Sequence, residues 1–191
     1  MTMDKIFYDA EFVERGKGQP IWLVSIGMVR ESDGAEYYAV NADLDEDLVH
    51  YHEWDGMRDH VWAQLPTVGE GADSHLDWNH PDVKYSEDIA AEVSAFVLGV
   101  PDPELWASYC AYDHVVLCQL FGTMARLPEG FPMFTNDIKS YSVRLGDPRW
   151  PAQKEREHHA LHDARYARDV WKFLRGVELG AYVASQPEAA P

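Results

Sequence analysis

"KIFYDAEFV", residues 5–13, sets two carboxylates among aromatic and aliphatic side chains. That composition reads as a β-strand. Alternate residues on a strand share a face, so Asp9 and Glu11 project to the same side. Two acids side by side in an apolar strand are costly unless something neutralises them. A divalent cation would do so, because Mg²⁺ and Mn²⁺ prefer oxygen ligands. Exposure of the pair to solvent on an edge strand would also do so, and the strand alone does not choose between them.

Outward from this strand, "ERGKGQP" (14–20) carries turn residues and "IWLVSIGMVR" (21–30) is again strand-like. The two read as an antiparallel hairpin, with "EYYAVNA" (36–42) as a third strand after the turn "ESDGA". Residues 43–85 are acidic, rich in His and Trp, and broken by Pro66, Gly69, Gly71 and Pro81; they read as short helical turns and loop. Ser86 is expected to cap a helix over "SEDIAAEVSAFVLG", with Ile89, Val93, Phe96 and Val97 on one face. "ELWASYC" (104–110) reads as a buried strand, "YDHVVLCQLFG" (112–122) as a helix, "MFTNDIK" (133–139) as an extended piece and "SYSVRLG" (140–146) as a short helix. The loop "DPRWPAQKE" (147–155) leads to a long helix over about 157–176. The expected architecture is one α/β domain over 1–180, a mixed central β-sheet flanked by α-helices. Residues 181–191 are expected to form a disordered tail.

Composition narrows the function. A hydrophobic share of 46% fits a folded core, and the apolar runs are too short to span a bilayer. The opening residues lack the apolar stretch of a secretory signal, and two cysteines, Cys110 and Cys118, make no disulfide framework. A cytoplasmic protein with no membrane association is expected. The formal net charge of −17 argues against a general clamp on nucleic-acid phosphates. It is compatible with carboxylates that hold divalent cations, which in turn meet a phosphate.

Two further acids stand at places where sites gather. Asp113 follows an apolar strand and begins a helix, where it either favours the helix dipole or serves a site at the strand end. Asp163 lies in "HHALHDARYA" (158–167), on the last helix. His158 precedes it by five residues, a rotation of roughly 500° on an ideal helix, so the two do not share a face. His158 is therefore expected at or before the helix start, a place suited to a proton-transfer group that is not a metal ligand. A zinc pair of His158 and His162 at i, i+4 is the competing reading, although no HExxH is present.

Taken in order, "YDAEFVE", "SYCAYDHVVL" and "HHALHDARYA" resemble the three motifs of the DEDDh exonucleases, the superfamily of ribonuclease T, oligoribonuclease and polymerase proofreading domains. The likeness covers nearly the whole chain, and the short length and "DAEF" opening are most similar to the small bacterial polyadenylate-specific 3'-exoribonucleases. The resemblance implies a ribonuclease H-like fold and a 3'-5' exoribonuclease that releases nucleoside 5'-monophosphates from an RNA 3' end. It implies two Mg²⁺ ions, replaceable by Mn²⁺, on Asp9, Glu11, Asp113 and Asp163, with His158 as general base. His159 and His162 revert to the helix face. Phe12, Tyr109 and Tyr112 become candidates for base or sugar contacts, and a homodimer is the assembly implied. Tyr109 and Cys110 stand where many relatives have Asn-Ala, and Phe12 where many have Thr, which leaves substrate preference open. Asp137 reads as a helix cap. A DNA exonuclease and a non-catalytic RNA- or nucleotide-binding module are the alternatives.

Overall fold

In a computed structural model, which describes the backbone of residues 3–50, 52 and 56–185, the first strand, β1 (Asp4–Val13), divides the molecule by alternation. Ile6, Tyr8 and Ala10 face one layer, Phe7 the other. Asp9 and Glu11 fall on Phe7's side by the same two-residue period.

β1 pairs antiparallel with β2 (Trp22–Arg30), which pairs antiparallel with β3 (Glu36–Asn41), so the expected hairpin and third strand are present. The chain then forms α1 (Glu46–His50), a π-helical turn over Met57–Val61, a 3-10 turn over Trp62–Gln64, and a small ladder of β4 (Thr67–Val68) with β5 (His75–Leu76). β6 (Val83–Lys84), α2 (Ser86–Leu98), β7 (Pro103–Ala107), α3 (Ala111–Leu120), β8 (Thr135–Asp137), α4 (Ile138–Arg144) and α5 (Ala160–Ser185) complete the order. The main sheet runs β6-β3-β2-β1-β7-β8, with β7 parallel to β1 and β8 parallel to β7. This is the mixed α/β sheet, flanked by helices, of the ribonuclease H-like fold.

Three apolar clusters hold it. On one face Ile89 and Val93 of α2 and Val116 and Leu117 of α3 pack on Ile6, Tyr8, Ile26 and Met28. On the other, Ile138 and Tyr141 of α4 and Val170, Trp171 and Leu174 of α5 enclose Phe7 and Trp106. The expected short helical turns and loop of 43–85 are present, and the third cluster shows what they pack against. Val49, Met57, Val61, Trp62, Leu65 and Leu76 are buried against Val13, Val24 and Val40, so this acidic stretch packs an apolar layer onto the sheet.

The departures are local. Ser86 is the first helical residue rather than the cap; its backbone N–H donates to Asp43 Oδ2 at 2.9 Å and its hydroxyl to the same oxygen. A distant carboxylate thus satisfies the orphan amide that a cap would otherwise take. The last helix begins at Ala160, not near 157, and continues to Ser185. The expected tail of 181–191 therefore opens with helical backbone, and its residues 186–191 lie outside the described residues. Among the described residues, no helix is long and apolar enough to cross a membrane.

Candidate active site

The site begins at the middle of β1 and depends on how closely α5 approaches the sheet. Gly27 is the β2 residue opposite Asp9. A Cβ at Gly27 would lie 2.2 Å from the Leu161 nitrogen and 2.4 Å from the Ala160 carbonyl carbon, so only glycine admits the start of α5 here. The register of β1 and β2 shifts just after Glu11, a bulge of the kind found beside active sites. This approach carries Asp163, on the first turn of α5, up to β1. Asp9, Glu11 and Asp163 each offer an oxygen within 4.8 Å of the other two. Asp113 is buried in the first turn of α3, but it is not part of that convergent trio; its Oδ1 accepts the Ala10 N–H at 2.9 Å.

The electrostatics follow from this crowding. Burial pushes the Glu11 carboxyl up to about 8, with Asp163 and Asp113 adding repulsion. Burial also raises Asp9 well above the ordinary carboxylate range, reinforced by Asp113, Glu11 and Asp163. Asp113 is pushed up to about 6 by burial, held back by its bond from Ala10. Asp163 is raised by burial and held down by Gln153 and the His158 N–H. Half-buried, oxygen-only and mutually repelling, this set fits a hard divalent cation, whose charge would remove the repulsion.

His158 lies before α5, as its spacing from Asp163 requires. Its φ of 63° is left-handed, a conformation that costs a residue other than glycine of order 1–3 kcal/mol. Its N–H donates to Asp163 Oδ2 at 2.8 Å, while Gln153 Nε2 donates to Asp163 Oδ1. The His60 ring stacks on that of His158 at 5.6 Å. Among the described residues, the convergent ligand group is all carboxylate, and neither His158 nor His162 belongs to it. His159 is not on the helix face. It precedes α5, half-buried between Tyr38 (4.4 Å) and His162 (4.1 Å), and burial pushes it down to about 4.

Of the aromatic candidates, Phe12 and Tyr112 are brought together, stacked at 5.7 Å with 12° between planes. Tyr112 also lines an open cleft of about 930 Å³ with Arg15, Lys17 and His52. Tyr109 stands apart from that pair. Two-thirds exposed, it tilts toward Trp150 at 6.4 Å and lines a smaller cleft of about 200 Å³ with Lys139 and Arg149. Asp137 is the N-cap of α4, accepting from Lys139 and Ser140 amides, and it also takes the Tyr109 N–H at 2.9 Å. Cys110 adjoins both; burial, Asp137 and Asp113 push its thiol up to about 11. Gln64, Gln153 and His60 were not visible as site residues in the sequence. Their roles depend on contacts between segments, which no local spacing signals.

A profile of the 3'-5' exoribonuclease Rv2179c-like domain matches residues 4–175. The 3'-5' exoribonuclease Rv2179c of Mycobacterium tuberculosis (strain ATCC 25618 / H37Rv) is 39% identical over 163 residues, 84% of this chain and 87% of that protein. The 3'-5' exoribonuclease MT2234.1 of strain CDC 1551 / Oshkosh matches to the same extent. Among solved structures, Escherichia coli exonuclease I bound to a dT13 oligonucleotide superposes with a TM-score of 0.62 at 11% identity, over 96% of this chain and 43% of that one. Apo exonuclease I gives 0.59 at 13% identity, over 97% and 45%. This chain thus spans less than half of exonuclease I, and at such identity the likeness is one of fold.

Proposed function

The chain belongs to the Rv2179c-like 3'-5' exoribonuclease family, and on that premise we propose that residues 1–180 form one catalytic domain that hydrolyses RNA from its 3' end to nucleoside 5'-monophosphates. In this reading Asp9, Glu11, Asp113 and Asp163 hold two Mg²⁺ ions, with Mn²⁺ able to substitute. Bound there, the cations would polarise the scissile phosphate and neutralise charge that develops on it. The observation that carries the proposal is the convergence of Asp9, Glu11 and Asp163 from β1 and α5 at the sheet's centre.

The chain's own residues supply the rest. His158 accepts the proton of the attacking water as the new P–O bond forms and the bond to the leaving 3'-oxygen breaks. Asp163 both faces the cluster and anchors the His158 backbone. Phe12, Tyr112 and Tyr109 offer faces for terminal bases or sugars. Arg15 and Lys17 offer local positive charge for backbone phosphates, in a chain whose net charge is −17. A homodimer is the assembly implied by the resemblance, and a cytoplasmic setting is the one expected from the composition.

The test is a time course on 5'-labelled single-stranded RNA and matched DNA, with and without Mg²⁺. Stepwise shortening of RNA from the 3' end with release of 5'-monophosphates is expected. Internal cuts, or faster digestion of the DNA, would overturn the proposal.

A further inference from the structure

Residue 64 is separated from residue 158 by 94 positions, yet the two are joined. Gln64 ends the 3-10 turn, and its Nε2 donates to the carbonyl oxygens of His158 at 2.8 Å, Glu157 at 2.6 Å and His60 at 2.7 Å. A primary amide has two hydrogens, so three acceptors share them and the full donor capacity of Gln64 goes to backbone. Two of those carbonyls belong to the segment that presents His158.

The platform under Gln64 is anchored. Trp62 and Leu65, on either side, are buried in the cluster built by residues 49–76. Trp62 Nε1 donates to Ser74 Oγ at 2.8 Å, and the Leu65 amide to Trp62 oxygen at 3.0 Å. His158, by contrast, sits in a left-handed conformation that a side-chain-bearing residue keeps only where its surroundings impose it. The restraint comes from two directions. Asp163 takes its N–H, and Gln64 holds its carbonyl.

We propose that Gln64 is a positioning residue for His158, fixing the carbonyl of that residue so that the imidazole is presented to the carboxylates in one orientation. The proposal rests on the reading of His158 as general base. Gln64 Nε2 donates to backbone oxygens, so its contribution is orientation rather than charge. The acidic stretch 43–85 thereby acquires a function: the apolar layer it packs against the sheet carries a strut to the catalytic segment.

The experiment is a double-mutant cycle on the full chain with Gln64→Leu and His158→Ala, read by single-turnover and steady-state cleavage of single-stranded RNA, melting temperature, and hydrogen exchange over residues 154–160. Gln64→Met, close in shape but without the donors, replaces the leucine variant should that one melt early. Gln64→Leu is expected to lower kcat by roughly 10- to 100-fold, the usual effect of slight misplacement, with KM little changed. Exchange over 154–160 should quicken. In the His158→Ala background the same substitution should cost nothing further, because both act through one group. If the two losses multiply, if KM rises alone, or if Gln64→Leu is fully active while His158→Ala is not, the positioning role falls and the general-base reading stands. If His158→Ala cleaves as fast as the parent, the general-base reading falls and takes the positioning role with it.

Discussion

The backbone N–H of His158 donates to Oδ2 of Asp163 at 2.8 Å, across the junction where a left-handed residue gives way to helix. One bond thus ties the proposed proton acceptor to a proposed cation ligand, and any cation that orders Asp163 also orders the segment bearing His158. The three neighbouring histidines should then separate cleanly. His158→Ala is expected to lower turnover by a factor on the order of 10² to 10⁴, the usual worth of positioned proton transfer. His159→Ala and His162→Ala should keep most activity, the former with a small fall in melting temperature from lost stacking on Tyr38. Single-turnover rates and Mn²⁺ affinity for all three decide it. Loss of metal and activity together in both His158→Ala and His162→Ala would restore the zinc-pair reading.

Stability should fall as pH rises when divalent cations are removed. Glu11 is raised to about 8 and Asp113 to about 6, so between the ordinary carboxylate range and about pH 8 the folded state binds more protons than the unfolded. Stability conferred by protonation is complete below the unfolded values and is lost as pH climbs through the folded ones. In EDTA the melting temperature should decline from pH 5 to pH 8. Millimolar Mn²⁺ should reverse the decline by binding the deprotonated folded state, and EDTA should abolish RNA cleavage. A melting temperature that rises over this range in EDTA, or cleavage that survives exhaustive chelation, contradicts this.

Gly27→Ala tests the close approach of α5 to the sheet. The new methyl would stand 2.2 Å from the Leu161 nitrogen, and backbone on both sides leaves nothing flexible to yield. Overpacking of this kind costs roughly 1–3 kcal/mol. Because the same displacement withdraws Asp163 from Asp9, activity should fall further than stability alone explains. Circular dichroism melts and cleavage rates measured well below the melting temperature check it. Parent-like activity in a destabilised variant would show that the helix start can shift without consequence.

Charge reversal at Arg15 and Lys17 should act on binding rather than chemistry. Both line the cleft that begins at Tyr112. If they meet phosphates, Arg15→Glu with Lys17→Glu should raise KM, leave kcat within about threefold and flatten the dependence of binding on salt. An unchanged salt slope assigns the RNA path elsewhere.

What could be read in the sequence was local. Asp9 and Glu11 share a face because a strand alternates, and His158 had to precede the helix because five residues overshoot one turn. Asp137 announced itself as a cap within its own segment. What stayed hidden was held by distant partners. Asp43 satisfies Ser86 from 43 residues away, and Gln64 reaches Glu157 across 93. The apolar residues of 43–85 are spread over α1, short turns and a two-residue ladder, none long enough to show a period. Their burial shows only when Val13, Val24 and Val40 supply the floor.

The condition of Cys110 and Cys118 has a practical outcome. With Cys110 held near 11 and Cys118 also raised, the thiolate nucleophile is scarce at neutral pH, on the order of one part in 10⁴ for Cys110. Maleimide reagents should therefore pass over both native sulfurs and take a cysteine introduced at Leu179, which is 55% exposed on α5. That position lies sixteen residues beyond Asp163, roughly 24 Å along the helix. A fluorophore there would sit clear of the carboxylate cluster, yet on the same helix as Asp163, and would report RNA arrival by energy transfer from a dye on the oligonucleotide.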